Sequence, residues 1–172
     1  MPALRIQIDE KQAQREINRQ VKTWLWRYRY AKLDVARLEG EYRELIATQE
    51  SAGAINYDGM PSGSGNIADL SNLTVQRENS LTRLNKAIRY MSTVREEITD
   101  VIDQLTYEKE RAVLSLRYIQ LRDKYDIRDM SEIASLLGCS ESRAKTLHSL
   151  GLQNLYPILM EGQYFKIPFS TS

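Results

Sequence analysis

The chain has 172 residues, 24 Lys and Arg against 23 Asp and Glu, and a formal net charge of +1, which gives room for one or two small domains and argues against strong non-specific binding to duplex DNA, while leaving room for a local basic face. It is 42% apolar and 27% charged, a balance that excludes broad disorder, and no apolar run approaches the eighteen residues of a membrane span. The start, MPALRIQIDEKQ, lacks the apolar core of a signal peptide, and a single Cys139 excludes an internal disulfide and fits a reducing cytoplasm, so a cytoplasmic location is expected.

Residues 1–8 read as extended or frayed. From about Asp9 to about Gln49, Ile17, Val21, Trp24, Tyr28, Ala31, Val35, Leu38, Tyr42 and Leu45 alternate steps of four and three. That is a heptad seam on a helix of roughly 60 Å, which must have a partner helix to bury its stripe. Trp24 and Tyr28 belong to the seam, while Trp26 and Tyr30 fall on another face beside Arg27 and Arg29. Aromatics interleaved with Arg can stack on bases, but the plainer reading is a second packing face against another domain or subunit.

The stretch 52–66 is rich in Gly and small polar residues and reads as an interhelix loop. It fits neither phosphate-cradling glycine spacing and contains no Lys, so no nucleotide site is expected. Tyr57, Met60 and Pro61 are expected to dock on the bundle. A second long helix is predicted from about Ile67 to Leu105, with Leu84, Ala87, Met91, Val94, Ile98, Val101 and Leu105 as its seam. It is the natural antiparallel partner of the first, and Ala87 and Met91 suit the bulky Trp24–Tyr30 region. Glu96, Glu97, Asp100 and Asp103 crowd this helix as a solvated face.

Thr106–Asp126 reads as a third helix, apolar at Ala112, Val113, Leu116, Tyr118 and Ile119, with Arg117 and Arg122 either candidates for phosphate contact or, equally, part of a solvated helix face. Met130–Leu155 then reads as two short helices around a sharp turn. Ser131 is the expected N-cap of the first, and Ile133, Ala134 and Leu137 share its inner face. Gly138 stands where the chain must turn through positive φ. Ser140 caps the second helix, which carries Ala144, Leu147, Leu150 and Leu155 inward. This is a helix-turn-helix pattern, with the second helix free to enter a major groove; the plainer alternative is a helical hairpin that only packs a core. The outward residues of the second helix are Ser140, Glu141, Ser142, Lys145, Thr146 and Ser149, with Arg143 near the rim. Short hydroxyls, an amine and a guanidinium suit base edges and phosphates, whereas Glu141 repels phosphate but can accept from a cytosine amino group. The motif holds two bases against two acids, and Met1–Glu50 ten against eight, so affinity needs dimerisation or a second basic surface. Pro157 is expected to stop the recognition helix, and Tyr164, Phe165, Ile167 and Phe169 to form a short strand or wrap the bundle.

The strings L-x8-L-S-L-R-Y-I from Leu105, S-E-I-A-S-L-L-G-C-S-E-S-R-A-K-T-L-H from Ser131 and the terminal L-x-x-L of Leu152–Leu155 resemble sigma-factor region 4. With the helical hairpin ahead of them, and with Gly59-Met60-Pro61 and Arg117-Tyr118-Ile119, the chain resembles the RinA/ArpU-type late transcriptional regulators of phages and prophages of Gram-positive bacteria. That resemblance implies regulation of late genes, double-stranded DNA at a late promoter as partner, contact with host RNA polymerase and a bacterial host cell. Asp123, Asp126 and Asp129 flank the motif, and Cys139 stands where relatives often carry an aromatic. The fold class expected is all-α: a long antiparallel coiled-coil hairpin (1–105) for oligomerisation or interaction, a helix-turn-helix DNA-binding domain (106–156) and a tail (157–172). The expected function is sequence-specific DNA-binding transcription regulation, with a homo-oligomer anticipated. The rivals are a small-terminase-like DNA-packaging adaptor and a protein-interaction module that binds no DNA. No catalytic set is placed by spacing, and His148, the only His, is expected to pack rather than to ligate or catalyse. No cofactor or metal is expected.

Overall fold

The computed structural model describes residues 2–54, 65–122 and 126–165, and every regular element among them is an α-helix, as the sequence predicts. In chain order they are α1 (Pro2–Leu25), α2 (Arg27–Ala54), α3 (Gly65–Asp103), α4 (Glu108–Tyr118), α5 (Met130–Leu137) and α6 (Glu141–Glu161). Tyr57, Gly59-Met60-Pro61, Asp123, Lys124, Tyr125, Ile167 and Phe169 lie outside the described residues.

Several boundaries differ from expectation. The first helix starts at Pro2 rather than after residue 8; proline suits a first helical position, where its missing N–H would lack a partner in any case. The helical run is interrupted at Trp26, whose N–H still reaches the Lys22 carbonyl at 2.9 Å. The third helix ends at Tyr118 instead of Asp126. There the Ser115 carbonyl accepts from both Ile119 and Gln120, and the Arg122 N–H donates to the Asp126 carbonyl at 2.9 Å. Pro157 does not stop α6, which continues to Glu161. Its missing N–H removes one backbone bond, but Leu155 and Leu159 on either side of it are fully buried, and that packing carries the helix through.

Two compact units divide the chain. In the unit Tyr30–Thr93, Val35 and Leu38 of α2 pack on Leu84 of α3, with Tyr42, Ala87 and Met91 around them. Arg83 reaches Glu41 at 3.9 Å and Arg77 reaches Gln49 at 3.5 Å, so numbers rise along one helix as they fall along the other, and the antiparallel seam closes within one chain. Ala87 and Met91 therefore pack on this aliphatic cluster, beside Tyr42.

The other unit joins the residues up to Arg29 with those from Val94 onward. Val21 and Leu25 of α1, Ile98 and Val101 of α3, Val113 and Leu114 of α4, and Leu152, Leu155 and Leu159 of α6 all have at most 1% of their surface exposed. Burying a side chain of this size contributes roughly 1.5–3 kcal/mol, so this shared core holds α1 and α6 in one body. Trp24 also meets the Tyr164 ring edge-on at 5.6 Å, and Tyr156 lies 5.9 Å from Phe165. The described part of the tail thus wraps the unit, and forms no strand.

Candidate nucleic-acid interface

Local chemistry shapes the turn between α5 and α6. Asp129, not Ser131, is the N-cap of α5: its carboxylate accepts from the Glu132 N–H at 2.7 Å. The helix begins two residues earlier than the hydroxyl predicts, because an Asp at this site also interacts favourably with the helix N-terminus. Ser131 lies inside α5, where its carbonyl accepts from the Ser135 hydroxyl at 3.0 Å. Gly138 ends the helix at φ 63° and ψ 37°, a left-handed conformation that costs any residue with a Cβ about 1–2 kcal/mol. Its N–H bonds the Ser135 carbonyl, and the Cys139 N–H reaches back to the Ala134 carbonyl at 3.0 Å, the pairing that closes a helix on a left-handed residue. Ser140 then caps α6, accepting from the Arg143 N–H at 3.2 Å.

Each of the three helices contributes one buried anchor beneath this turn. Val113 of α4, Ile133 of α5 and Leu147 of α6 form one cluster, with Leu116, Met130 and Leu137 around it. The small Ala134 and Ala144 are both buried and permit the close crossing expected of them. Leu150, expected inward, is 38% exposed; the buried face of α6 runs instead through Leu147, His148, Gly151 and Leu152. Gly151 lies close against α4, since a Cβ there would stand 3.2 Å from Leu114 Cδ1. Beside it, the Asn154 amide donates to the carboxylate of buried Glu110 at 2.9 Å.

That packing leaves the start of α6 on the surface. Ser140, Glu141, Ser142, Arg143, Lys145 and Thr146 are exposed, and Ser149 is half-buried. The Thr146 hydroxyl donates to the Ser142 carbonyl at 3.0 Å and keeps its lone pairs outward. Lys145 pairs with Glu141 one turn away, an exposed ion pair of the kind worth about 0.3–0.5 kcal/mol, which a phosphate or base contact displaces at little cost. The two arginines outside α6 differ. Arg122 is exposed and approaches Glu132 at 3.9 Å. Arg117 is half-buried and donates to the Arg128 carbonyl, so its guanidinium organises the α4–α5 connection.

Arg128 escaped the sequence reading. Its Nε donates to the Gln120 carbonyl at 3.1 Å and its Nη1 to Glu132 at 2.8 Å, tying the end of α4 to the start of α5. The i,i+4 spacing of Arg128 and Glu132 is the signal in the sequence, and it is masked because Arg128 lies before the first turn of α5. His148 packs as expected. It is buried, stacks on Tyr118 at 5.8 Å, and its Nε2 shares a hydrogen bond of 3.0 Å with the Tyr118 hydroxyl. Burial, with Lys22 and Arg117 adding positive charge nearby, holds its pKa down to about 4, and burial pushes the Tyr118 phenol up to about 12. Both are therefore uncharged at neutral pH. Trp26 meets Tyr118 edge-on at 5.5 Å, so the residue that interrupts the first helical run anchors the back of the motif.

Residues 101–156 match the family model described as Sigma-70, region 4. This stretch is thus a helix-turn-helix domain of the DNA-binding kind. No curated protein and no solved structure matches the chain.

Proposed function

We propose that the chain is a sequence-specific transcription regulator that places α6 in the major groove of a promoter. The observation that carries this reading is the exposed first part of α6, beyond the Ser140 cap, within a region 4-like fold. Lys145, Arg143, Ser142 and Thr146 make the base-edge contacts, Ser140, Glu141 and Ser149 border them, and Arg122 positions the domain on phosphate with Arg117 in support. Residues 106–156 act as the DNA-binding domain, and within residues 1–105 the α2–α3 hairpin serves oligomerisation or contact with RNA polymerase. The resemblance to RinA/ArpU-type regulators supports late genes of a phage or prophage as the target, with activation as the sign.

The test is to incubate the purified protein with fragments of its source genome and sequence those retained across a salt series. One discrete locus upstream of a late operon, whose transcription rises with added protein, is the expected result. Retention of no fragment even at low salt would make the helix-turn-helix a packing device.

A further inference from the structure

The stretch 101–156 holds eight Lys and Arg against eight Asp and Glu. A domain without net charge gains little from counterion release, although phosphate neutralisation supplies much of the affinity of DNA-binding proteins. The unit built around it nevertheless contains a basic surface outside the matched residues. On α1, Lys11, Arg15, Arg19 and Lys22 are all exposed and follow one another in steps of four, four and three, so they form one stripe about 16 Å long at 1.5 Å per residue. Among the described residues, Lys11, Arg15 and Lys22 are in no ion pair, and Arg19 pairs only with Glu16 at 2.8 Å. Glu16 is the acid bordering the stripe, and it also accepts from Gln20 at 3.1 Å.

We infer that this α1 stripe is a rail for the DNA sugar-phosphate backbone, supplying the affinity that the neutral helix-turn-helix lacks; the inference rests on the DNA-binding reading of α6. The placement supports it. α1 packs directly on α6, and Lys22 at one end of the stripe acts electrostatically on His148 of α6. The stripe thus belongs to a helix that packs on the recognition helix and that the region 4 match does not include. DNA is favoured over an anionic lipid surface by the state of the opposite face. Binding a membrane surface requires an amphipathic helix to bury its apolar side in the headgroup region, whereas Val21, Trp24 and Leu25 are already spent on the protein core.

The experiment measures binding of the retained genomic fragment, and of a scrambled fragment, by the full chain and by the triple variant Lys11→Gln/Arg15→Gln/Lys22→Gln across a salt series. Each lost phosphate contact reduces the slope of log affinity against log salt by about 0.9, so the triple variant is expected to bind both fragments more weakly, with a slope shallower by about 3 and an unchanged preference between them. The charge-retaining variant Lys11→Arg/Arg15→Lys/Lys22→Arg is expected to keep the native slope, which separates charge from folding. An unchanged slope in the Gln variant, while Lys145→Ala still weakens binding, overturns the rail and leaves the reading of α6 intact. A changed preference between fragments, or loss of binding only to vesicles of anionic phospholipid, also overturns it. Absence of binding by the unaltered chain at any salt overturns rail and recognition helix together.

Discussion

His148 shows how a single residue ties the motif to conditions outside it. In the unfolded chain its imidazole takes a proton near the ordinary value of 6.5, whereas the buried ring does so only near about 4. Between those values the unfolded state binds more protons, so stability is fully present above 6.5, falls as pH falls through that window, and levels off below it. From pH 7 to pH 5 this amounts to about 2 kcal/mol at most. The variant His148→Gln can keep a hydrogen bond to Tyr118 but cannot titrate. Urea unfolding at the two pH values should therefore show the unaltered protein losing more stability than the variant; equal losses would mean the ring is not held neutral.

Among the elements, α6 is where packing overrides local preference, and two substitutions expose the balance. Pro157 sits inside it and is exposed. A proline in a helix interior is about 3 kcal/mol less favourable than alanine, partly offset by the entropy it removes from the unfolded chain. Pro157→Ala is accordingly expected to raise the thermal midpoint, and a lower midpoint would show that the proline fits a bend the unit needs. Gly151→Leu should do the reverse, destabilising by about 1–3 kcal/mol through overpacking against Leu114, as measured by denaturant midpoint. These elements also show how far the sequence could be read. The seam residues Val21, Trp24, Tyr28, Val35, Leu38, Leu84, Val94 and Ile98 are buried as their spacing demands, because period is a property of the chain itself. Gly138 and Ser140 were legible because a left-handed turn and an N-cap each admit few residue types. The passage of α6 through Pro157, the cap at Asp129 and the exposure of Leu150 were not legible, since each depends on which tertiary partner fills the space nearby. The bridge from Arg128 to Gln120 was hidden for the same reason: it joins the ends of two helices whose limits the pattern misplaced.

At the scale of the whole molecule, a hairpin unit of Tyr30–Thr93 accompanies a unit in which α1 and the end of α3 join the helix-turn-helix in one core. The motif is therefore not an appended module, and its affinity for DNA is expected to depend on residues far from it in sequence. The central claim remains that α6 reads base edges. It is tested most directly by titrating the unaltered protein and Lys145→Ala against the genomic fragment it retains, with helicity and thermal midpoint as controls. Lys145 is exposed and, among the described residues, is ion-paired only to Glu141 on its own helix, so its loss should leave the fold intact. A loss of about 1–3 kcal/mol in binding, with relaxed preference at one position of the site, is the predicted result. Superimposable titrations of the two folded proteins would contradict the assignment of α6 as the recognition helix.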